Sequence, residues 1–112
     1  MSEELQPTVI NLNVHKQGLI NESWLAMFGG AIEMLLKSMF QGDTGPFQSK
    51  FSVSGTPSQV AAFGDALGKE KKYMETFLKY GLNDPRSFSS RAHLNKAVAN
   101  FEKETGIKWP LN

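Results

Sequence analysis

The residues able to do acid–base or metal chemistry in this chain are few and scattered. His15 and His93 are its two histidines and stand on different predicted elements. His15 has no second histidine, cysteine or acid at metal-ligand spacing, so it reads as an ordinary surface histidine. No serine, aspartate and histidine occur in a recognisable catalytic context, and the carboxylates are spread along the chain rather than paired at an apolar site. The chain has no cysteine, which excludes disulfides, thiolate catalysis and cysteine-based zinc sites. Gly55 precedes a helix start, but with neither GxGxxG nor GxxxxGK[ST] a phosphate-binding turn is not expected. The residues thus predict a non-enzymatic protein with no metal and no cofactor.

A second chemistry is that of phosphate contact. Residues 69 to 96 carry seven basic side chains, Lys69, Lys71, Lys72, Lys79, Arg86, Arg91 and Lys96, against three acids, Glu70, Glu75 and Asp84. On a helix-turn-helix-like unit these cations would face phosphate, with Ser90, Arg91 and Asn95 near base edges. The interleaved acids weaken a continuous phosphate track, and the turn from Leu82 to Phe88 is longer than the roughly three or four residues usual in that motif. Nucleic-acid binding is therefore the alternative reading, and a solvated lysine-rich face the simpler account of these charges. The formal net charge is +1, with three lysines against five acids in residues 1 to 56 and nine basic residues against six acids in residues 57 to 112.

The elements that must position these groups follow from periodicity. The chain has 112 residues, 40% apolar and 21% charged, and fits one soluble domain after a flexible leader of residues 1–7. Thr8 to His15 alternates, with Ile10, Leu12 and Val14 on one face, as in a half-buried strand. Asn21 is a good N-cap, and Ile20 and Leu25 stand at hydrophobic-staple positions. The helix they open holds the most apolar run, Trp24 to Phe40, in which Leu25, Phe28, Ile32, Leu35 and Met39 form one stripe and Trp24, Met27, Ala31 and Met34 a second beside it. This run is shorter than the roughly 20 residues of a membrane span and holds Glu33 and Lys37, so no membrane association is expected. Gly29 and Gly30 in the helix interior imply close backbone approach, by a strand of the same domain or by another subunit.

Phe40-Gln41-Gly42 ends that helix, Asp43 to Pro46 turns, and Phe47 to Ser54 alternates again as a second strand. Thr56, Pro57 and Gln59 spell a capping box with proline at the first helical position. The helix they open can run to Tyr80, with Val60, Phe63, Leu67, Met74, Phe77 and Leu78 on one face and a bend or break near Gly68, where Glu70 and Lys71 interrupt the stripe. Gly81 closes it, with Leu82 folding back on Phe77 as in a Schellman motif. Asn83-Asp84-Pro85 forms a turn, and Ser89 or Ser90 caps a third helix whose stripe is Leu94, Ala97, Val98 and Phe101 and whose wet face holds Arg91, Asn95, Glu102 and Lys103. Gly106 ends it, and Ile107, Trp109 and Leu111 pack onto the core.

Two segments, KEKKYMETFLKYGLNDPRSFSSRAHLNKAVANFEKETGIKWPLN and INESWLAMFGGAIEMLLKSMF, resemble small uncharacterised proteins encoded by marine tailed phages and found in ocean metagenomes. The resemblance covers most of residues 20 to 112. It implies a phage-related origin and carries over no activity and no functional residues.

Together these features predict an α+β fold in the order β-α-β-α-α, with three helices on one face of a two-stranded sheet whose strands could pair in parallel or antiparallel. If they are parallel, the first helix is a right-handed crossover. Two strands make a marginal sheet, so a second copy could extend it. The expected function is a structural, assembly or protein-interaction module, a homo-oligomer or the partner of another protein. Trp24, Met27, Gly29, Gly30 and Met34 are the candidate interface, methionine adapting well to imperfect surfaces. The start MSEELQPT lacks the basic residues and apolar core of a signal peptide, so a cytoplasmic location is expected, in the host or in a virion.

Overall fold

The computed structural model describes residues 8–15, 18, 20–40 and 51–111. Their elements run β1 (Thr8–Asn11), α1 (Glu22–Phe40), β2 (Phe51–Ser54), α2 (Pro57–Tyr80) and α3 (Pro85–Thr105). The fold is α+β in the expected order. The leader, the helix end at Gly42, the Asp43–Pro46 turn and the Phe47–Lys50 part of the second strand lie outside the described residues.

β1 and β2 pair in parallel, with Thr8 opposite Phe51 and Asn11 opposite Ser54, so α1 lies in the long connection that parallel neighbours require. β1 is shorter than the alternation of Thr8 to His15 predicts. The N–H of Asn13 donates to Asn11 Oδ1 at 2.9 Å, a local bond that draws the backbone away from the ladder, although the N–H of Leu12 still reaches the Ser54 carbonyl at 2.8 Å. Ile10, Leu12 and Val14 are nevertheless all buried. The alternation therefore reports correctly which side chains enter the core, and overstates only the hydrogen-bonded length.

Caps set the starts of the helices. Asn21 Oδ1 accepts from the N–H of Trp24 at 2.8 Å, and Ile20 and Leu25 both pack at the core edge. At α2 the capping box is complete: Thr56 Oγ1 accepts from the Gln59 N–H at 3.2 Å, and Gln59 Oε1 accepts from the Thr56 N–H at 2.9 Å. Gln59 is itself buried, and its Nε2 donates to the Glu104 carbonyl at 3.4 Å. The cap thus also ties α2 to the far end of α3. No break occurs at Gly68, and α2 runs unbroken to Tyr80.

The start of α3 differs from the sequence expectation. Asp84, not Ser89 or Ser90, is the N-cap, accepting from the Arg86 N–H at 2.9 Å, with Pro85 in the first turn. An Asp-Pro pair that reads as a turn is equally a cap followed by a preset first helical residue. Ser87 and Ser90 are then buried inside the helix. The connection between α2 and α3 shrinks accordingly to Gly81–Asp84. Gly81 adopts φ 87°, ψ 171°, a region essentially reserved for glycine. It donates to the Phe77 carbonyl at 2.8 Å, and Leu82 and Phe77 are both exposed. With ψ near 171° Gly81 lies outside the left-handed helical conformation that a Schellman motif uses.

From this turn α2 and α3 run antiparallel along their whole length: Ser90 meets Thr76, Phe63 meets Phe101, and Gln59 reaches Glu104. The core lies where α1 and the segment after α3 close over this hairpin. The Phe28, Phe63 and Phe101 ring centroids lie 5.9 to 6.0 Å apart, and the Trp109 indole meets Phe101 edge-on at 5.2 Å. Gly106 turns the chain toward this site in the left-handed conformation, φ 73°, so that Ile107 and Trp109 are both buried.

Candidate functional site

Glu70 is where sequence reasoning misjudged a charged residue. It does not interrupt the apolar face of α2, for it is buried and accepts from Trp109 Nε1 at 2.9 Å. Burial pushes its carboxyl up from the ordinary glutamate value, opposed by the indole hydrogen bond and by the positive charge of Arg91. Glu102 is half-buried rather than wet and accepts from the Trp109 N–H at 2.9 Å. Two carboxylates thus hold the segment after α3 in place. This is a structural role, because both carboxylates accept hydrogen bonds from Trp109.

The candidate interface on α1 divides. Trp24 is half-buried and stacks on Phe28 with centroids 5.0 Å apart. A side chain at Gly29 would meet Pro110, whose Cβ lies 3.6 Å from that position, an ordinary contact distance that leaves room for a methyl group. Gly30 faces open space, and Met27 and Met34 are exposed. Met27, Gly30 and Met34 form an outward stripe at helical spacing, with Glu33 and Lys37 also exposed beside it.

A second exposed apolar set lies where sequence periodicity placed core. Phe77 and Leu78 do not extend the buried face of α2. Leu78 is 74% exposed, Phe88 60% and Leu82 57%, with Phe77 and Tyr80 also exposed. All five belong to the last turn of α2, the connection and the first turn of α3. Phe77 stacks with Tyr73 at 6.4 Å, and the Arg86 guanidinium lies 3.6 Å from the Tyr80 ring centroid. Below them polar bonds tie α3 to α2 and to the connection: Ser87 Oγ donates to the Gly81 carbonyl at 2.6 Å and Ser90 Oγ to Thr76 Oγ1 at 3.1 Å, while within α2 Thr76 Oγ1 donates to the Lys72 carbonyl at 2.7 Å. These bonds satisfy hydroxyls that burial would otherwise strand.

The seven basic residues do not form one track. Lys71 pairs with Glu75 at 2.7 Å and reaches over the Phe40 ring. Arg91 Nη1 donates to Tyr73 Oη at 3.4 Å, Lys79 lies over Tyr80, and Lys96 is exposed, as is Asn95. Lys69, Lys72 and Arg86 instead converge with His93 on a groove of about 700 Å³ between α2 and α3. Thr76, Tyr80, Ser89 and Ser90 supply hydroxyls to its wall, Gly68 is its remaining lining residue, and no carboxylate lines it. Lys69 pairs with Asp65 at 2.8 Å. Arg86 donates through Nε and Nη2 to Asp84 at 2.9 and 3.1 Å; these bonds hold the Asp84 carboxyl below the usual aspartate range and raise the Arg86 guanidinium. Recurrence of Gly68, Lys72 and Thr76 every fourth residue could have revealed one face of this groove, but its partner face depends on where α3 begins.

The ring of His15 lies over Gly106, leaving no room for a side chain there. Among the described residues no group of three or more His, Asp or Glu is placed to hold a metal ion, and no helix is long and apolar enough to cross a membrane. Comparison with family models, with curated proteins and with solved structures finds no match to this chain.

Proposed function

We propose that this chain is a non-enzymatic assembly module that associates with a second copy of itself through the turn end of the α2–α3 hairpin. One observation carries the reading: Phe77, Leu78, Tyr80, Leu82 and Phe88 are exposed together around Gly81–Asp84. Isolated exposed apolar residues are ordinary on a protein surface, whereas aromatic and leucine side chains concentrated at one turn are the kind of surface that contacts use. The polar bonds beneath hold these side chains on a fixed support, which lowers the ordering cost of association. The outward Met27, Gly30 and Met34 stripe on α1 is a secondary contact. A phage-related assembly role belongs to the same reading, and neighbouring head and tail genes would support it.

Nucleic-acid binding by residues 69–96 is less well supported. The motif needs two helices crossing at roughly 90–120°, whereas α2 and α3 lie flush and antiparallel, and their cations point to several different neighbours. Sedimentation velocity over a micromolar concentration range tests the assembly reading. The parent chain is expected to sediment as a dimer or larger species, and Leu78→Glu with Phe88→Glu to sediment as a monomer of unchanged helical content. A single 12.4 kDa species for the parent chain at every concentration would defeat self-association.

A further inference from the structure

We propose that the groove between α2 and α3 binds a small phosphorylated ligand. This goes beyond the assembly reading and does not depend on it. The groove draws cations from both helices, Lys69 and Lys72 from one side and Arg86 from the other, and adds the His93 imidazole and the hydroxyls of Ser89 and Tyr80. Ammonium, guanidinium and hydroxyl groups are all hydrogen-bond donors, and a phosphoryl group offers several acceptor oxygens around one centre. Its volume, about 700 Å³, falls within the roughly 300–1,000 Å³ typical of small-molecule sites.

Two of the cations are already positioned. Arg86 is gripped along one edge by Asp84 and sits over the Tyr80 ring, 3.6 Å from its centroid, so its guanidinium is oriented before a ligand arrives. Lys69 is fixed by Asp65 in an exposed pair. Exposed pairs of this kind contribute little stability, so sharing the cation with a phosphoryl oxygen costs little. Lys72 is exposed and supplies the uncommitted charge. The convergence also separates this ligand class from a nucleic-acid strand, because Lys71, Arg91 and Lys96 lie outside the groove.

Isothermal titration of the full chain with inorganic pyrophosphate tests the assignment. Saturable binding at one site per chain is expected, weakened on the order of tenfold by Lys72→Glu and similarly by Arg86→Gln, the loss typical of one charge-assisted hydrogen bond. Lys103→Glu makes the same charge change in the last turn of α3, outside the groove, and is expected to leave the affinity within about twofold. Lys72 is exposed, so its variant is expected to keep the parent melting temperature, which a thermal melt checks. Absence of saturable binding overturns the proposal, and so does equal loss in Lys72→Glu and Lys103→Glu. Tighter binding of a single-stranded oligonucleotide than of pyrophosphate, abolished by Lys71→Glu with Lys96→Glu, overturns it in favour of a nucleic-acid surface.

Discussion

The two ends of the α2–α3 hairpin use aromatic side chains in opposite ways. Toward Thr56 and Gly106, Phe63 and Phe101 are buried beneath α1 and Trp109, whereas toward Gly81 the side chains of Phe77, Leu78, Leu82 and Phe88 face outward. Both ends are built from the same two helices and both carry large aromatic side chains, although the open end is the richer in charge. The difference lies in cover. α1 and the segment after α3 close over one end, and among the described residues nothing closes over the other. An apolar stripe on a helix therefore says that something covers it, and the rest of the chain decides whether that cover is internal.

Truncation should separate the ends most strongly. Phe101→Ala and Trp109→Ala at the covered end are each expected to cost about 3–5 kcal/mol in denaturant unfolding, whereas Leu82→Ser at the open end should shift the monomer's stability by under about 0.5 kcal/mol. Comparable losses at both ends would show that the open end is covered after all. Caps come next. Thr56→Ala and Asp84→Ala are each expected to cost about 1 kcal/mol, the first also loosening the Gln59 tie to Glu104, read as earlier thermal unfolding.

Glu70 gives a smaller effect with a definite sign. Its folded carboxyl sits above the ordinary value of 4.5, so the folded state holds that proton more tightly than the unfolded state. Its contribution to stability is present below pH 4.5 and is lost as pH rises through the folded value. Glu70→Gln keeps an acceptor for the Trp109 indole and removes the charge, so its stability relative to the parent should rise across that window and then level off. A flat difference from pH 4 to pH 8 would show that burial does not perturb this carboxyl. The smallest change is Gly30→Ala, which meets open space and should stabilise the monomer by about 0.5–1 kcal/mol. If it also weakens association, the α1 stripe takes part in the contact.

Much of the fold could be read from short-range chemistry. The capping box at Thr56, the N-cap at Asn21, the glycine at 106 and the packing of Ile107 and Trp109 are local patterns, and each appears in the structure. What could not be read depended on distant partners. Glu70 looked like an interruption because its partner is Trp109, far along the chain. Phe77 and Leu78 looked like core because helical spacing shows a stripe without showing its cover. Gly29 pointed to a close backbone, whereas a side chain there would meet Pro110 only at ordinary contact distance. The groove was missed for a different reason: placing the start of α3 at Ser89 or Ser90 removed Arg86 from the helix and took Ser89 and Ser90 for caps.

The parallel pairing of Thr8–Asn11 with Phe51–Ser54 has a consequence for the order in which the chain folds. The hairpin forms across a four-residue connection, so its contacts need little loop closure, whereas the strands can meet only after a loop containing all of α1 has been gathered in. Local contacts form fast and distant ones slowly. The α2–α3 hairpin is thus the natural nucleus and the sheet the late step. Mutations at Thr76 or Ser90, which meet across the hairpin only 14 residues apart, should then slow folding, while those at Ile10 or Val53 should chiefly hasten unfolding.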